Sequence, residues 1–233
     1  MAAIMQAMQN TEQAPMPDTT ADQPQPKKHT PRQVSPVLEK LFELYPHLFG
    51  ARFLPLKLGI FHDLLTRHPD AFDKEALKLA MGQHARSTRY LECVAAGLDR
   101  HDLDGVAVEP VAPEHVHHAI VEVFRRRQAR SKDDLQPHVR VLLKQAIEDS
   151  GLTPEDYAVL VRVKDETINT LVDDAVAELK AEAAKREALM TTFNTSGKTE
   201  AEFADMYGMN LELVSSVLAR VRADEAAKAR ALE

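Results

Sequence analysis

Tryptophan is absent from the 233 residues, cysteine occurs once, glycine eight times, and aromatic residues make up only 5%. The lone Cys93 excludes a disulfide framework and a Cys-rich zinc site, and it fits a reducing compartment. Without a partner in sequence it reads as a small buried hydrophobe rather than a nucleophile. No stretch approaches the roughly 18 apolar residues of a membrane span. The first residues show neither the charged start nor the apolar run of a secretory signal, so a soluble, cytoplasmic protein is expected. Phosphate-binding GxxxxGK[ST], GxSxG, HExxH and GxGxxG motifs are all missing, so neither enzymatic activity nor a cofactor is expected. Metal binding is not expected either. His115 and His118 share a helical face but bring no third ligand, and Asp99, Asp102 and Asp104 before Gly105 lack calcium-loop spacing and read as a turn.

What is present is an ordinary apolar fraction, 44%, with 28% charged residues, enough for a packed core. The formal charge of −7 is unevenly spread. Residues 1–26 carry three acids and no base, residues 27–132 carry 17 bases against 13 acids with nine of the ten histidines, and residues 133–233 carry 12 bases against 20 acids. A mildly basic middle between acidic ends points to a polyanion site confined to the middle.

The chain divides into three parts. Residues 1–33 are rich in Pro, Gln and Thr with no apolar period, and are expected to be disordered. Lys27, Lys28 and Arg32 add a cationic arm at its end. Residues 34–132 read as a compact, mostly helical domain. Ser35 and Pro36 suit a helix start and Pro46 its end; a second helix follows Pro55, Asp73 caps a third, and Pro113 opens a fourth that leaves through the Arg125–Arg130 cluster. Short β-prone runs at Leu91–Ala95 and Val106–Val111 around turn residues predict a small hairpin. Residues 133–233 read as an acidic, all-helical extension. Gly151 closes its first helix, a capping box begins at Thr153, and a long amphipathic helix runs to about Leu189. A loop spans Thr191–Lys198, a second capping box spans Thr199–Glu202, and Gly208 and Asn210 separate two final helices.

Four blocks in register give the middle a family likeness. They are LFELYPHLF at Leu41–Phe49, PLKLGIFHDL at Pro55–Leu64, RYL at Arg89–Leu91, and RHDLDG at Arg100–Gly105. Residues from about Val34 to Arg130 resemble the FinO/ProQ family of bacterial RNA chaperones. The resemblance implies a mainly α-helical domain with a concave basic face and a small β-hairpin. It also implies structured RNA as partner, namely small regulatory RNAs and mRNA 3′ ends grasped at a terminator-type hairpin and its 3′ tail. It carries Lys57, Arg89, Tyr90 and Arg100 onto the family's RNA-contacting face, with Lys78 where members often carry Arg. His84 and Thr88 stand where Tyr and Trp are common. The Tudor-like C-terminal module of some members is not visible; helices replace it.

Residue chemistry agrees with that role. A-form RNA hides its base edges, so recognition falls on phosphates, 2′-hydroxyls and exposed ends. Lys57, Lys78, Arg89 and Arg100 are suited to phosphates, Tyr90 to stacking and to a terminal ribose, and Ser87 and Thr88 to donating toward phosphate or sugar. His84 retains the capacity to stack or hydrogen-bond. Lys74, Arg86 and the Arg125–Arg130 cluster are further candidates. Two other classes compete. Ala204, Gly208, Met209, Val214 and Val217 fit a helix-turn-helix, which would make the protein a DNA-binding regulator, although residues 211–219 lack the basic and amide side chains of a reading helix. The acidic extension alternatively serves protein contact or self-association, or acts as an internal polyanion that competes with weak RNA.

Overall fold

The computed structural model describes residues 35–50 and 52–231. The expected N-terminal disorder and the Lys27, Lys28 and Arg32 arm lie outside the described residues. The chain is helical apart from one small sheet, with the order α1 (Pro36–Leu44), α2 (Pro46–Phe49), α3 (Ile60–Arg67), α4 (Lys74–Ala85), α5 (Thr88–Ala95), β1 (Arg100–His101), β2 (Ala107–Glu109) and α6 (Pro113–Gln128). Five helices follow: α7 (Gln136–Asp149), α8 (Pro154–Leu160), α9 (Glu166–Ser196), α10 (Glu200–Tyr207) and α11 (Leu211–Ala231).

Local chemistry explains the boundaries. Asp73 caps α4 by accepting from the Ala76 N–H at 2.8 Å, and Ser87 caps α5 by accepting from the Tyr90 N–H at 3.2 Å. Thr199 and Glu202 close a complete capping box on α10, and Gly208 ends that helix at φ 62°. Pro46 does end α1, and it also opens the single turn of α2, where its fixed φ suits a first helical position. Gly105 has φ 75° in the β1–β2 turn, and a Cβ there would lie 2.8 Å from the His47 ring. The Asp102 carboxylate accepts from the Asp104 and Val106 N–H groups, so it holds this turn.

Three expectations are corrected. The hairpin forms, but from Arg100–His101 and Ala107–Glu109 rather than from Leu91–Ala95. Residues 88–95 are helical because Tyr90, Leu91 and Val94 sit one turn apart and bury a single face beneath the Ser87 cap. The helix after Pro55 starts only at Ile60. Leu56 is bridged parallel to His101, and Gly59 turns the chain at φ 81°. The loop expected over Thr191–Lys198 is helix as far as Ser196, where Phe193 packs edge-on against Phe203 and Gly197 stops α9 at φ 63°.

Three apolar clusters organise the molecule. The first gathers α1–α6 around Leu41, Leu48, Phe49, Leu64 and Leu77, and takes Ala119 and Val123 from α6. The second takes Ile120 and Val121 from the same helix and packs them with Val139, Leu143, Ile147, Tyr157, Leu171 and Val172. The third joins the end of α9 to α10 and α11 through Met190, Phe203, Val214 and Leu218. Helix α6 is therefore a shared wall, and α9, roughly 46 Å long at 1.5 Å per residue, runs through the second and third clusters. No helix among the described residues is long and apolar enough to cross a membrane.

Candidate nucleic-acid interface

Two of the expected contact residues meet beneath the loop that precedes α3. The Leu56 N–H donates to the Tyr90 hydroxyl at 3.0 Å, and the Leu56 carbonyl accepts from Arg100 Nη1 at 3.0 Å. Backbone bonds from Lys57 N–H to the His101 carbonyl and from His101 N–H to the Pro55 carbonyl complete the grip. Arg100 is 9% exposed; Nη2 lies 3.1 Å from His115 Nδ1, and Nε lies 4.0 Å from the Glu109 carboxylate. Its guanidinium thus underpins the loop instead of projecting from the surface. Burial raises the Tyr90 phenol pKa, so its proton stays on and is not consumed by the bond from Leu56.

Lys57 is half-exposed on that loop and pairs with Asp63 at 2.9 Å, which raises its pKa and keeps it cationic. The neighbouring cleft, about 430 Å³, sets Asp63, Asp102 and Asp104 against Lys57 and Arg67, so its charge is net negative rather than cationic.

The α4–α5 corner is different. Lys74 and Lys78 stand one turn apart on the exposed face of α4. Arg86 continues that i, i+4 row past Gly82, and its guanidinium folds back to 3.2–3.3 Å from where a Gly82 Cβ would be. Lys74, Lys78 and Arg86 pair with no carboxylate among the described residues. Arg89 lies with its guanidinium carbon 4.5 Å from the centroid of the Phe53 ring, a cation–π contact that ties α5 to the start of the loop. Ser87 is engaged as the α5 cap, and Thr88 Oγ1 accepts from Arg126 Nη1 at 3.2 Å.

His84 is placed elsewhere. It is 3% exposed, with ring centroids 4.7 Å from Phe49, 4.6 Å from Phe53 and 5.0 Å from Tyr90. Burial pushes its pKa down to about 4, and its Nε2 has no hydrogen-bond partner. The ring is a neutral core piece, which corrects the expectation that it offers a stacking face. Cys93 is partly buried with its thiol pushed up to about 12, and it donates to the Tyr90 carbonyl.

Sequence reasoning missed Phe53, Gly82 and Glu109. Phe53 stands two residues before the PLKLGIF block, and an aromatic beside a loop rich in cations was the available signal. It also did not separate the members of the arginine run. Arg125 pairs with Asp165 at 2.6 Å, Arg126 with Glu122 at 2.8 Å, and Arg127 with Glu92 at 2.7 Å.

In the helical extension several cations are paired with acids. Arg140 and Lys144 meet Asp174, Glu178 and Glu182; Arg162 meets Asp173, and Lys180 meets Glu155. The helix-turn-helix spacing does produce two helices about a short turn. Yet Arg220 is held by Glu148, Arg222 by Glu200, and Ser215 also bonds to Glu200. These are the polar side chains a DNA-reading helix would need at its surface.

Residues 31–136 match the model of the ProQ/FINO family. Among known proteins the chain is similar to the RNA chaperone ProQ of Shewanella pealeana, 41% identical over 87 residues, covering 36% of this chain and 41% of that protein. It is 36% identical over 109 residues to the RNA chaperone ProQ of Shewanella amazonensis, covering 42% and 50%. A solved FinO-like RNA chaperone from Neisseria meningitidis is 31% identical, with a TM-score of 0.33 covering 36% of this chain and 85% of that one. The chain spans about half or less of the length of the curated relatives it matches.

Proposed function

We propose that the protein is an RNA chaperone that binds structured RNA through residues 34–132, with small regulatory RNAs and mRNA 3′ ends as its targets in post-transcriptional regulation. The supporting observation is the clustering of open charge: Lys74, Lys78 and Arg86 stand exposed in one row without acidic partners among the described residues, while Arg140, Lys144, Arg162, Lys180, Arg220 and Arg222 of the extension are engaged in its own ion pairs. Cations left open on one face are what a phosphate backbone needs, and they bind it by releasing counterions. Arg89 over Phe53 adds a group suited to an unpaired 3′ end. Ser87 and Thr88 lie at the α4–α5 corner, Lys57 belongs to the loop before α3, and Tyr90 and Arg100 hold that loop by its Leu56 backbone. No catalytic step is required.

The test is a titration at controlled salt with a hairpin RNA bearing a U-rich 3′ tail, the same RNA with a blocked 3′ end, and duplex DNA. Tightest binding to the free-ended hairpin is expected. The Lys74→Ala/Lys78→Ala variant should lower the salt slope by roughly 1.4 to 1.8, about 0.7–0.9 per lost cation. Equal, weak binding to all three ligands overturns the reading. A second role, protein contact through residues 133–233, rests on exposed Met206, Tyr207, Leu211 and Leu213 about the α10–α11 turn. Sedimentation of the purified chain at rising concentration tests self-association there.

A further inference from the structure

Three consecutive arginines near the end of α6 reach three different parts of the molecule. Arg125 reaches Asp165 ahead of α9, and Arg127 reaches Glu92 on α5; in both pairs the side chains are 41–51% exposed. Such open pairs contribute little. Arg126 is unlike them. Its side chain is 28% exposed, Nε donates to Glu122 Oε1 at 2.8 Å, and Nη1 donates to both the Arg86 carbonyl at 2.9 Å and Thr88 Oγ1 at 3.2 Å.

Those two acceptors bracket Ser87, where α4 ends and α5 begins. The Arg86 carbonyl belongs to the last turn of α4, which leaves carbonyls without intrahelical partners, and Thr88 is the first residue of α5. One guanidinium therefore cross-links the two helices at the corner that carries Arg86 and Arg89. Glu122, one turn back on α6, fixes the direction in which the guanidinium points.

We propose that Arg126 is a positioning residue for RNA binding: it does not need to touch RNA, but it locks the α4–α5 corner so that Arg86 and Arg89 hold a fixed spacing. A planar fork with two donating nitrogens performs this; a point charge does not. The inference rests on the RNA-binding reading above and adds a residue of α6 to it.

The experiment measures affinity of the full chain for the tailed hairpin RNA, with thermal melting of each variant alongside. Arg126→Ala should weaken binding about tenfold, the scale expected when charge-assisted bonds that order a site are lost. Arg126→Lys keeps the charge and loses the fork, and should fall nearly as far. Arg125→Ala and Arg127→Ala, which remove equal charge from the same helix end, should stay within about twofold of the parent. Thr88→Val should weaken binding less than Arg126→Ala, and the double variant should be no weaker than Arg126→Ala alone, because the two act through one bond.

Full affinity in Arg126→Lys, or equal losses in all three arginine variants, overturns the proposal in favour of simple charge. Additive effects of Thr88→Val and Arg126→Ala also overturn it. If Arg126→Ala melts below the assay temperature, Glu122→Gln replaces it: this keeps Arg126 but frees its direction, and unchanged affinity then counts against the proposal. A parent chain that melts cooperatively yet binds no RNA overturns the RNA reading and this inference together, whereas a binding parent with an unaffected Arg126→Ala overturns this inference alone.

Discussion

Tyr90 ties the first cluster to the loop before α3. Its ring packs in the first cluster, and its oxygen takes the Leu56 N–H, a backbone donor that is otherwise enclosed. Removing only the oxygen leaves that N–H without a partner. Tyr90→Phe is expected to destabilise the protein by about 1–3 kcal/mol, read from denaturant midpoints at unchanged m-value. His84 and His117 carry a pH dependence of definite sign. Burial lowers both pKa values to about 4 from an ordinary 6.5. Between these values the unfolded chain binds protons that the folded chain refuses, so the stability these two histidines contribute falls as pH drops from 6.5 towards 4, and their share of the loss is complete below. Each histidine contributes at most about 3 kcal/mol to that loss. Melting temperature followed from pH 7 to pH 4 checks it, and His84→Phe should flatten the curve; a stability that rises on acidification contradicts it.

At the scale of elements, several helix starts were legible where a side chain caps the backbone locally: Asp73, Thr153 and Thr199 each accept the bond their position calls for, whereas the Ser87 cap on α5 went unread. What escaped was non-local. Leu91–Ala95 has strand-prone residues, but its helical face is fixed by burial against the first cluster, information that lies in other elements. Pro55–Lys57 stays out of the helix because it pairs with His101, more than forty residues on. The candidate site was legible as a set of residue types, since Lys74, Lys78, Arg86 and Arg89 stand at the corner. That Arg100 turns inward and His84 is enclosed depends on Glu109, Phe49 and Phe53, which no spacing rule connects to them. Gly82 gives a test within α4. It sits mid-helix without a positive φ, and an added Cβ meets only the far end of the Arg86 side chain. Gly82→Ala is expected to stabilise the protein by up to about 1 kcal/mol through helix propensity. Calorimetry measures that gain, and an unchanged or lower melting temperature counts against it.

For the whole molecule, the decisive fact is that α6 faces two clusters. Ala119 and Val123 close the first, and Ile120 and Val121 close the second. Cutting the chain after residue 132 would leave Ile120 and Val121 facing water. Burying one such side chain is worth about 1.5–3 kcal/mol, so the shortened protein is expected to melt more than about 10 °C below the full chain. An equal melting temperature would show that the family domain is self-sufficient. The substitutions Ile120→Ser/Val121→Ser in the shortened protein should restore solubility without restoring the lost stability.

That shared wall also sets a timetable for synthesis. When α6 leaves the ribosome, its first apolar side can dock at once on helices already made, but the side bearing Ile120 and Val121 has nothing to meet. Its partners on α7 and α9 are encoded up to Leu179, about fifty residues later. At about 5–20 residues per second this leaves a greasy stripe bare for roughly 3–10 seconds in every nascent chain. The three arginines beside that stripe give it a charged neighbour throughout the wait, so the newborn domain has its cationic corner before its second side is covered.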